Sequence, residues 1–252
     1  MAAENGGDLV SEIIAGRNPV REALRAGRPI NKLVMAKGTA AGPLSEIIKL
    51  AREKNIPIQT VDKTHLDKLV AGTPHQGIIA YAAPKGYVDI EDILSVAKER
   101  GQDPFIVMLD EINDPHNLGA IIRTVDAAGA HGIIIPRRRA VALTATVARA
   151  SAGAVEYVPV ARVTNLDQTI RQLKELGLWV VGADMDGPEV YWDAKLTGPL
   201  LLVIGGEGKG LGRLIKERCD MLVRLPMAGH VGSLNASVAA ALLVYEVIRQ
   251  RR

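Results

Sequence analysis

Apolar and polar positions along this chain follow two rhythms. The short apolar runs "KLVMA" (32–36), "IPIQTV" (56–61) and "GIIAYAA" (77–83), each bounded by turn residues, predict buried strands. Between the first two, "PLSEIIKLAREKN" puts Leu44, Ile47, Ile48 and Ala51 at the spacing of an amphipathic helix, and "DKTHLDKLVAG" predicts another. Ahead of them, "GRNPVREALRAG" reads as a short helix with Asn18 as N-cap, Pro19 at the first helical position and Gly27 as its stop. These elements predict a small α/β domain over residues 11–83, behind a polar, acidic and disordered tail over residues 1–10.

Residues 84–103 begin and end in Pro/Gly turns and hold one amphipathic helix around Ile90 to Ala97, which predicts a linker. From residue 104 to residue 252 the alternation resumes. Apolar runs at 105–109, 132–135, 178–183, 200–204 and 221–225 predict strands. Periodic segments at 117–129, 144–151, 165–176, 211–218 and 235–249 predict helices. Strand–helix alternation of this kind predicts a mostly parallel sheet covered on both faces, so the fold class is α/β in both domains.

Composition narrows the chemistry. The chain has 252 residues, 48% of them hydrophobic, but only one Phe, two Trp and five Tyr, which argues against a row of aromatics that stacks unpaired bases. A net charge of +3 and a pI near 9.0 permit a nucleic-acid partner without requiring one. The basic residues cluster, with Arg17, Arg21, Arg25 and Arg28 near the start, Arg137 to Arg139 after a strand, and "RQRR" at the end. Solvated helix faces are the plain alternative for each cluster. One cysteine, Cys219, excludes an internal disulfide and a Cys-based metal cluster, and the five histidines show no ligand spacing. The N-terminus is no signal peptide and "VAAALLVY" is too short to span a bilayer, so a cytoplasmic protein is expected, with no membrane and no metal.

Three stretches carry candidate chemistry. In "VIGGEGKGLG" the spacing fails the phosphate-cradling P-loop and also the dinucleotide fingerprint. Gly206-x-Gly208-x-Gly210 matches a loop of common Rossmann-type methyltransferases, although that loop normally follows the first strand. A flexible strand-to-helix turn remains open, but Glu207, a carboxylate among glycines after a buried strand, stands where open α/β sheets place ligand contacts. In "LPMAGHVGSLNASVAA", Ser233 and Asn235 lie where a long helix begins, and either could cap it or face a ligand. In "NDPHNLGAIIRTVDAAG", Leu118, Ile121, Ile122 and Val125 form one apolar stripe and Arg123 points away from it. Helix geometry alone reads Arg123 as a solvated arginine.

Taken in their order along the chain, which starts with "NDPHNLGAIIRTVDAAG", the three stretches resemble the motifs of the SpoU, or TrmH-like, family of RNA 2′-O-ribose methyltransferases, and within it the bacterial enzymes of a 23S rRNA guanosine. "IIAGRNPVREAL" and "HQGIIAYA" extend the resemblance into the first domain, similar there to a ribosomal-protein-like RNA-binding fold. The resemblance implies a C-terminal trefoil knot, a homodimer and a site that draws on both subunits. It implies S-adenosylmethionine held by Gly205, Leu225 and Leu234, with Ile204, Gly206, Glu207, Gly208, Pro226, Met227, Ser233 and Asn235 around it. It makes Arg123 the catalytic residue and Asn117, Glu207, Ser233 and Asn235 its polar partners. RNA contacts are expected from Arg17, Asn18, Arg21, His116, Asn117 and Arg123.

The chemistry is consistent with that assignment. Methyl transfer to a ribose hydroxyl needs in-line alignment, loss of the hydroxyl proton and stabilisation of a developing alkoxide. An arginine supplies positive charge readily, whereas its high pKa conflicts with a base role, so base and electrostatic stabiliser stay open. The competing expectations are an RNA-binding assembly factor with dispensable methylation, 2′-O-methylation of tRNA, and a Rossmann enzyme of a small molecule. The late glycine loop counts against the last.

Overall fold

The computed structural model describes residues 12–39, 41–207 and 210–252. The tail expected over residues 1–10 lies outside the described residues. The chain divides into two compact units, one of residues through Gly86 plus Leu143–Glu156, the other of Tyr87–Ala142 plus Tyr157–Arg252.

The first unit runs β1 (Glu12–Ala15), α1 (Arg17–Arg25), β2 (Ile30–Ala36), α2 (Ala41–Glu53), β3 (Ile58–Val61), α3 (Lys63–Leu69) and β4 (Ile78–Ala82). Its sheet has the order β1-β4-β2-β3, with β4 antiparallel to β1 and β2, and β3 parallel to β2. The carboxyl ends of β1, β2 and β3 therefore share one end of the sheet. The two-residue period of the strands sorts the core. Leu33, Ile78 and Ala80 face α1 and α2 through Ala23, Leu24, Leu44 and Ile47, while Val34, Ala36 and Ile79 face Leu66 of α3. The N-cap of α1 is Gly16, at φ 105°, not Asn18. The Gln76 side chain accepts the Arg17 amide at 2.9 Å, so the cap comes from a loop distant in sequence. Gly27 stops the helix region at φ 74°.

The second unit begins with α4 (Ile90–Glu99) and continues β5 (Phe105–Asp110), α5 (Pro115–Ala128) and β6 (Gly132–Pro136). The chain then returns to the first unit for α6 (Ala145–Ala150) and a 3₁₀ turn, Ala154–Glu156. The second unit resumes with β7 (Val160–Val163), α7 (Leu166–Glu175), β8 (Trp179–Ala183), β9 (Glu189–Val190), β10 (Leu200–Gly205), α8 (Arg213–Arg218), β11 (Met221–Arg224) and α9 (Ala236–Arg251). Its seven strands are all parallel, in the order β7-β6-β5-β10-β8-β11-β9. Buried β5 and β10 at the centre are apolar throughout their length apart from terminal Asp110 and Gly205, as a sheet covered on both faces requires. Among the described residues no helix is long and apolar enough to cross a membrane.

The units depart from the sequence-based boundaries in two places. The segment 84–103 is no bare linker, because Ile93 of α4 is fully buried with Ile106 and Ile134 in the core of the second unit. Residues 143–156, expected within the C-terminal domain, pack in the first unit. There Arg28 is buried and donates to Glu156 (2.7 Å), to Glu12 (2.6 Å) and to the Ala83 carbonyl (2.8 Å), while Lys85 donates to the Glu156 carbonyl (2.9 Å). Three short strands, β1, β7 and β9, add to those that the apolar runs predict.

Candidate active site

The turn after β5 divides its polar residues between structure and chemistry. Glu111 takes a left-handed φ of 58° and turns the chain out of the strand. Asn113 donates to the Glu111 carbonyl (3.1 Å), Asp114 caps α5 by accepting the His116 amide (3.1 Å), and Pro115 begins the helix. His116 is exposed. Asn117, one residue on, is buried and turned toward the end of β10.

There Asn117 meets two residues from elsewhere in the chain. Its Nδ2 donates to Glu207 Oε1 at 3.0 Å, and its Oδ1 accepts from Asn235 Nδ2 at 2.9 Å. Asn235 Nδ2 also donates to Glu207 Oε1, while Asn235 Oδ1 caps α9 by accepting the amides of Ser237 (3.0 Å) and Val238 (3.3 Å). Asn235 thus caps the helix and also reaches across to Asn117 and Glu207. Glu207 Oε1 also takes the Ala236 amide at 3.5 Å, and Oε2 has no partner among the described residues. Three elements, β10, α5 and α9, are joined through one carboxylate oxygen.

Beside this cluster an open cleft of about 690 Å³ lies past the carboxyl ends of β8, β10 and β11. Its walls are mainly apolar, from Ala183, Met185, Ile204, Val223, Leu225 and Met227, with Leu234, Ala236 and Ala239 on the side of α9. The glycines here are compulsory. A Cβ on Gly205 would stand 2.2 Å from the Gly210 carbonyl carbon, and one on Gly206 would stand 2.6 Å from the Glu111 oxygen. Two buried carboxylates flank β10. Asp110 Oδ2 accepts the Gly212 amide at 2.9 Å, and Asp184 pairs with Lys216 at 2.6 Å. Burial pushes the Asp110 carboxyl above the usual aspartate range, against the pull of the Gly212 amide.

Both segments of the chain match known families. The "SpoU rRNA Methylase family" matches residues 104–245, and "RNA 2'-O ribose methyltransferase substrate binding" matches residues 13–88. YacO of Bacillus subtilis (strain 168), named a TrmH family tRNA/rRNA methyltransferase, is 52% identical over 95% of this chain and 96% of its own. The chain belongs to the SpoU rRNA methylase family. It is an RNA methyltransferase of that family. Among solved structures, the SpoU methyltransferase AviRb from Streptomyces viridochromogenes, in complex with AdoMet, superposes with a TM-score of 0.80 at 27% identity, over 95% of this chain and 90% of that one. The AdoMet-bound rRNA methyltransferase from Sinorhizobium meliloti gives 0.75 at 26% identity, over 95% and 87%. The A. aeolicus TrmH/SpoU tRNA modifying enzyme gives 0.54 at 30% identity and covers only 59% of this chain and 76% of its own.

Against this SpoU assignment the structure sorts the expected positions. Ile204, Gly205, Gly206, Glu207, Leu225, Met227, Ser233 and Leu234 line the cleft. Pro226 is exposed and does not line it, and Gly208 lies outside the described residues. Ala183, Asp184 and Met185 of the cleft were not anticipated, because nothing in "GADMDG" reveals that β8 lies beside β10. Arg123 is exposed on α5, outside the lining of its own chain's cleft, and makes no hydrogen bond or ion pair among the described residues. The basic cluster near the N-terminus is largely committed: Arg21 pairs with Glu22 (2.8 Å), Arg25 with Glu22 (3.3 Å) and Glu46, and Arg28 with Glu12 and Glu156. Asn18 is exposed and Arg17 faces a separate cleft.

The small residues of α9 are partly used inside the fold. Ala236 and Ala240 are buried, and α9 packs on α5. The apolar stripe left exposed is Val238 (47%), Leu242 (42%) and Tyr245 (51%), one helical face at i, i+4 and i+7.

Proposed function

We propose that this protein transfers a methyl group from S-adenosylmethionine to a ribose 2′-hydroxyl of RNA, a guanosine of 23S rRNA, and that it acts in the cytoplasm as a homodimer with a knotted C-terminal domain. The observation that carries the reading is the Asn117–Glu207–Asn235 cluster beside an apolar, glycine-walled cleft. The residues fit the cofactor. The backbone of residues 225–235 has no regular structure, so its amides and carbonyls are not consumed by a ladder.

When bound, the sulfonium supplies an electrophilic methyl group. The protein's own part is placement and charge. Gly205 and Gly206 let backbone approach the ligand, Leu225, Met227 and Leu234 exclude water from it, and Ser233 offers a hydroxyl at the mouth. Glu207 Oε2 holds a donor from the RNA or the cofactor. Arg123 provides positive charge for the developing alkoxide. As it stands outside its own cleft's lining and makes no hydrogen bond or ion pair among the described residues, it is free to serve the cleft of a second protomer, which the Val238–Leu242–Tyr245 stripe supports. The rRNA reading rests on the two-unit match to the S. meliloti rRNA enzyme, against the partial match to the tRNA-modifying one.

The test is methyl transfer from labelled S-adenosylmethionine to ribosomal RNA and, separately, to tRNA, followed by nucleoside analysis. A 2′-O-methylguanosine from 23S rRNA is expected. Label only in tRNA would replace the substrate, and label in neither would remove the activity.

A further inference from the structure

The turn after β6 carries Arg137, Arg138 and Arg139, a basic run that neither the apolar cleft nor the Asn117–Glu207–Asn235 cluster uses. We propose that Arg137, Arg138 and Arg162, at the carboxyl ends of β6 and β7, form an anchor in the second unit for a backbone phosphate that flanks the methylated nucleotide. The proposal deepens the reading above, since it rests on RNA being the substrate. It assigns a positioning role to three arginines that lie outside all three motif stretches.

Arg137 and Arg162 are drawn together by their own backbone. Strands β6 and β7 pair in the register Ile135↔Arg162 and Pro136↔Val163, and the Arg137 amide continues the ladder onto the Val163 carbonyl at 2.7 Å. Arg162 Nη2 then donates to the Arg137 carbonyl at 3.1 Å, and Arg137 Nε donates to the Arg162 carbonyl at 3.4 Å. Neither guanidinium has a carboxylate partner among the described residues, and Arg162 Nε is buried there with no hydrogen-bond partner at all. The Arg162 guanidinium carbon also lies 5.2 Å from the centre of the Tyr87 ring. Tyr87 is fixed in turn, because the amide of the next residue, Val88, donates to the Val160 carbonyl of β7 at 3.0 Å. Arg25 and Arg28 of the first unit are met by carboxylates, whereas this pair of like charges is held side by side without one. A phosphate relieves that repulsion and takes paired N–H groups from a guanidinium fork.

The arginine turn is also fastened to the turn that delivers Asn117. Arg139, at a left-handed φ of 58°, donates to Glu111 at 3.0 Å, and the Val141 amide donates to the Ile112 carbonyl at 3.0 Å. Glu111 and Ile112 both belong to the turn between β5 and α5. Arg138, between these attachments, is exposed and makes no hydrogen bond or ion pair among the described residues. Three strand spacings separate β7 from β10, where Asn117 meets Glu207, a span of roughly 14 Å. That span places the anchored phosphate on a neighbour of the reacting nucleotide and not on the reacting nucleotide itself. A contact of this kind sets the position of a strand without reading its bases.

The experiment uses the full chain with three readouts. Affinity for a fluorescent oligouridine of about 20 nucleotides is followed by anisotropy across a salt series. Methyl transfer to ribosomal RNA gives KM and kcat, and calorimetry gives S-adenosylmethionine affinity. Arg138→Glu should weaken oligouridine binding about tenfold and flatten the slope of log K against log salt by about 0.7, the value for one phosphate of a single strand. The KM for RNA should rise by about the same factor, with kcat within about twofold and cofactor affinity unchanged. Arg162→Lys keeps the charge but loses the planar fork, so it should weaken binding about threefold and leave the slope as it was. Lys98→Glu, exposed in the last turn of α4 at the amino ends of the strands, is the charge control and should change nothing. Arg138 is exposed and spans no contact, so its variant folds, and thermal unfolding verifies this. Wild-type affinity and slope in Arg138→Glu would overturn the proposal. So would an equal loss in Lys98→Glu, or a fall in kcat with KM unchanged. Oligouridine binding is read without methyl transfer. A wild type that methylates no RNA while Arg138→Glu still loses affinity removes the function and keeps the anchor. Methyl transfer with unchanged KM and RNA affinity in Arg138→Glu removes the anchor alone.

Discussion

The two clefts occupy equivalent positions, each past the carboxyl ends of strands in an open α/β sheet, and their linings are opposite in character. In the second unit the walls are aliphatic, the glycines admit backbone, and a single carboxylate is organised by two asparagines. In the first unit the walls are polar and cationic, and the floor is a loop held by a buried histidine. Topology supplies the concavity in both cases, and the side chains at the strand ends decide what it holds. An apolar cleft gains by removing a small ligand from water. A cationic one gains by releasing counterions from a long ligand that stays wet.

That contrast can be broken by experiment. The largest effect is expected at Arg123. Arg123→Ala should lower methyl transfer about 10³-fold or more, while S-adenosylmethionine affinity by calorimetry and oligouridine affinity by anisotropy both stay within about twofold. Near-wild-type turnover at saturating RNA would return Arg123 to an ordinary solvated arginine. Next in size is Arg28→Ala, which leaves Glu156 buried beside Lys85 without its main partner. Removing one member of such a buried pair costs about 3–5 kcal/mol. Denaturant unfolding should show that loss, with S-adenosylmethionine binding by the second unit retained. Loss of both together would show that the units do not act separately.

Gly205→Ala probes the apolar cleft directly. With Gly210 backbone only 2.2 Å from the new Cβ, the loop must shift, so cofactor affinity should fall about tenfold or more and stability by about 1–3 kcal/mol. RNA affinity should hold. Leu242→Glu places a charge in the exposed stripe of α9. Sedimentation should show monomers, and methyl transfer should fall with the dimer while RNA affinity by anisotropy holds. A dimer that survives the change would move the interface elsewhere.

The smallest effect is expected at Asp110, where burial raises the folded-state pKa. A raised carboxyl favours its protonated form. The folded state therefore loses stability as pH climbs from the ordinary aspartate value, about 4, through the folded pKa, and holds that deficit above it. Asp110→Asn keeps an acceptor for the Gly212 amide and removes the buried charge. It should be more stable than wild type near pH 8, by up to about 1 kcal/mol, with the difference vanishing below about pH 4. Cofactor affinity that drops with it would show that the charge, not the acceptor, sets the glycine loop.

Much of this was legible in the order of residues. Apolar runs and helical periods marked most elements, because burial on one face or two leaves a local trace. The three motif stretches marked Asn117, Glu207 and Asn235, and the structure unites them through hydrogen bonds across 28 to 118 positions of sequence. Local pattern could not show that Asn235 caps a helix and reaches Glu207 at once, since the second task depends on where β10 ends. Nor could it show that Arg21, Arg25 and Arg28 are spent on carboxylates while Arg17 and Lys63 make no ion pair among the described residues. A charge run reports how many cations a segment carries. Which of them remain available depends on acids contributed by distant segments, such as Glu46 and Glu156, and only packing brings those within reach. The same reason put α6 in the first unit: its own apolar pattern says that it must be buried, and the Arg28 network and the folded sheet of that unit say where.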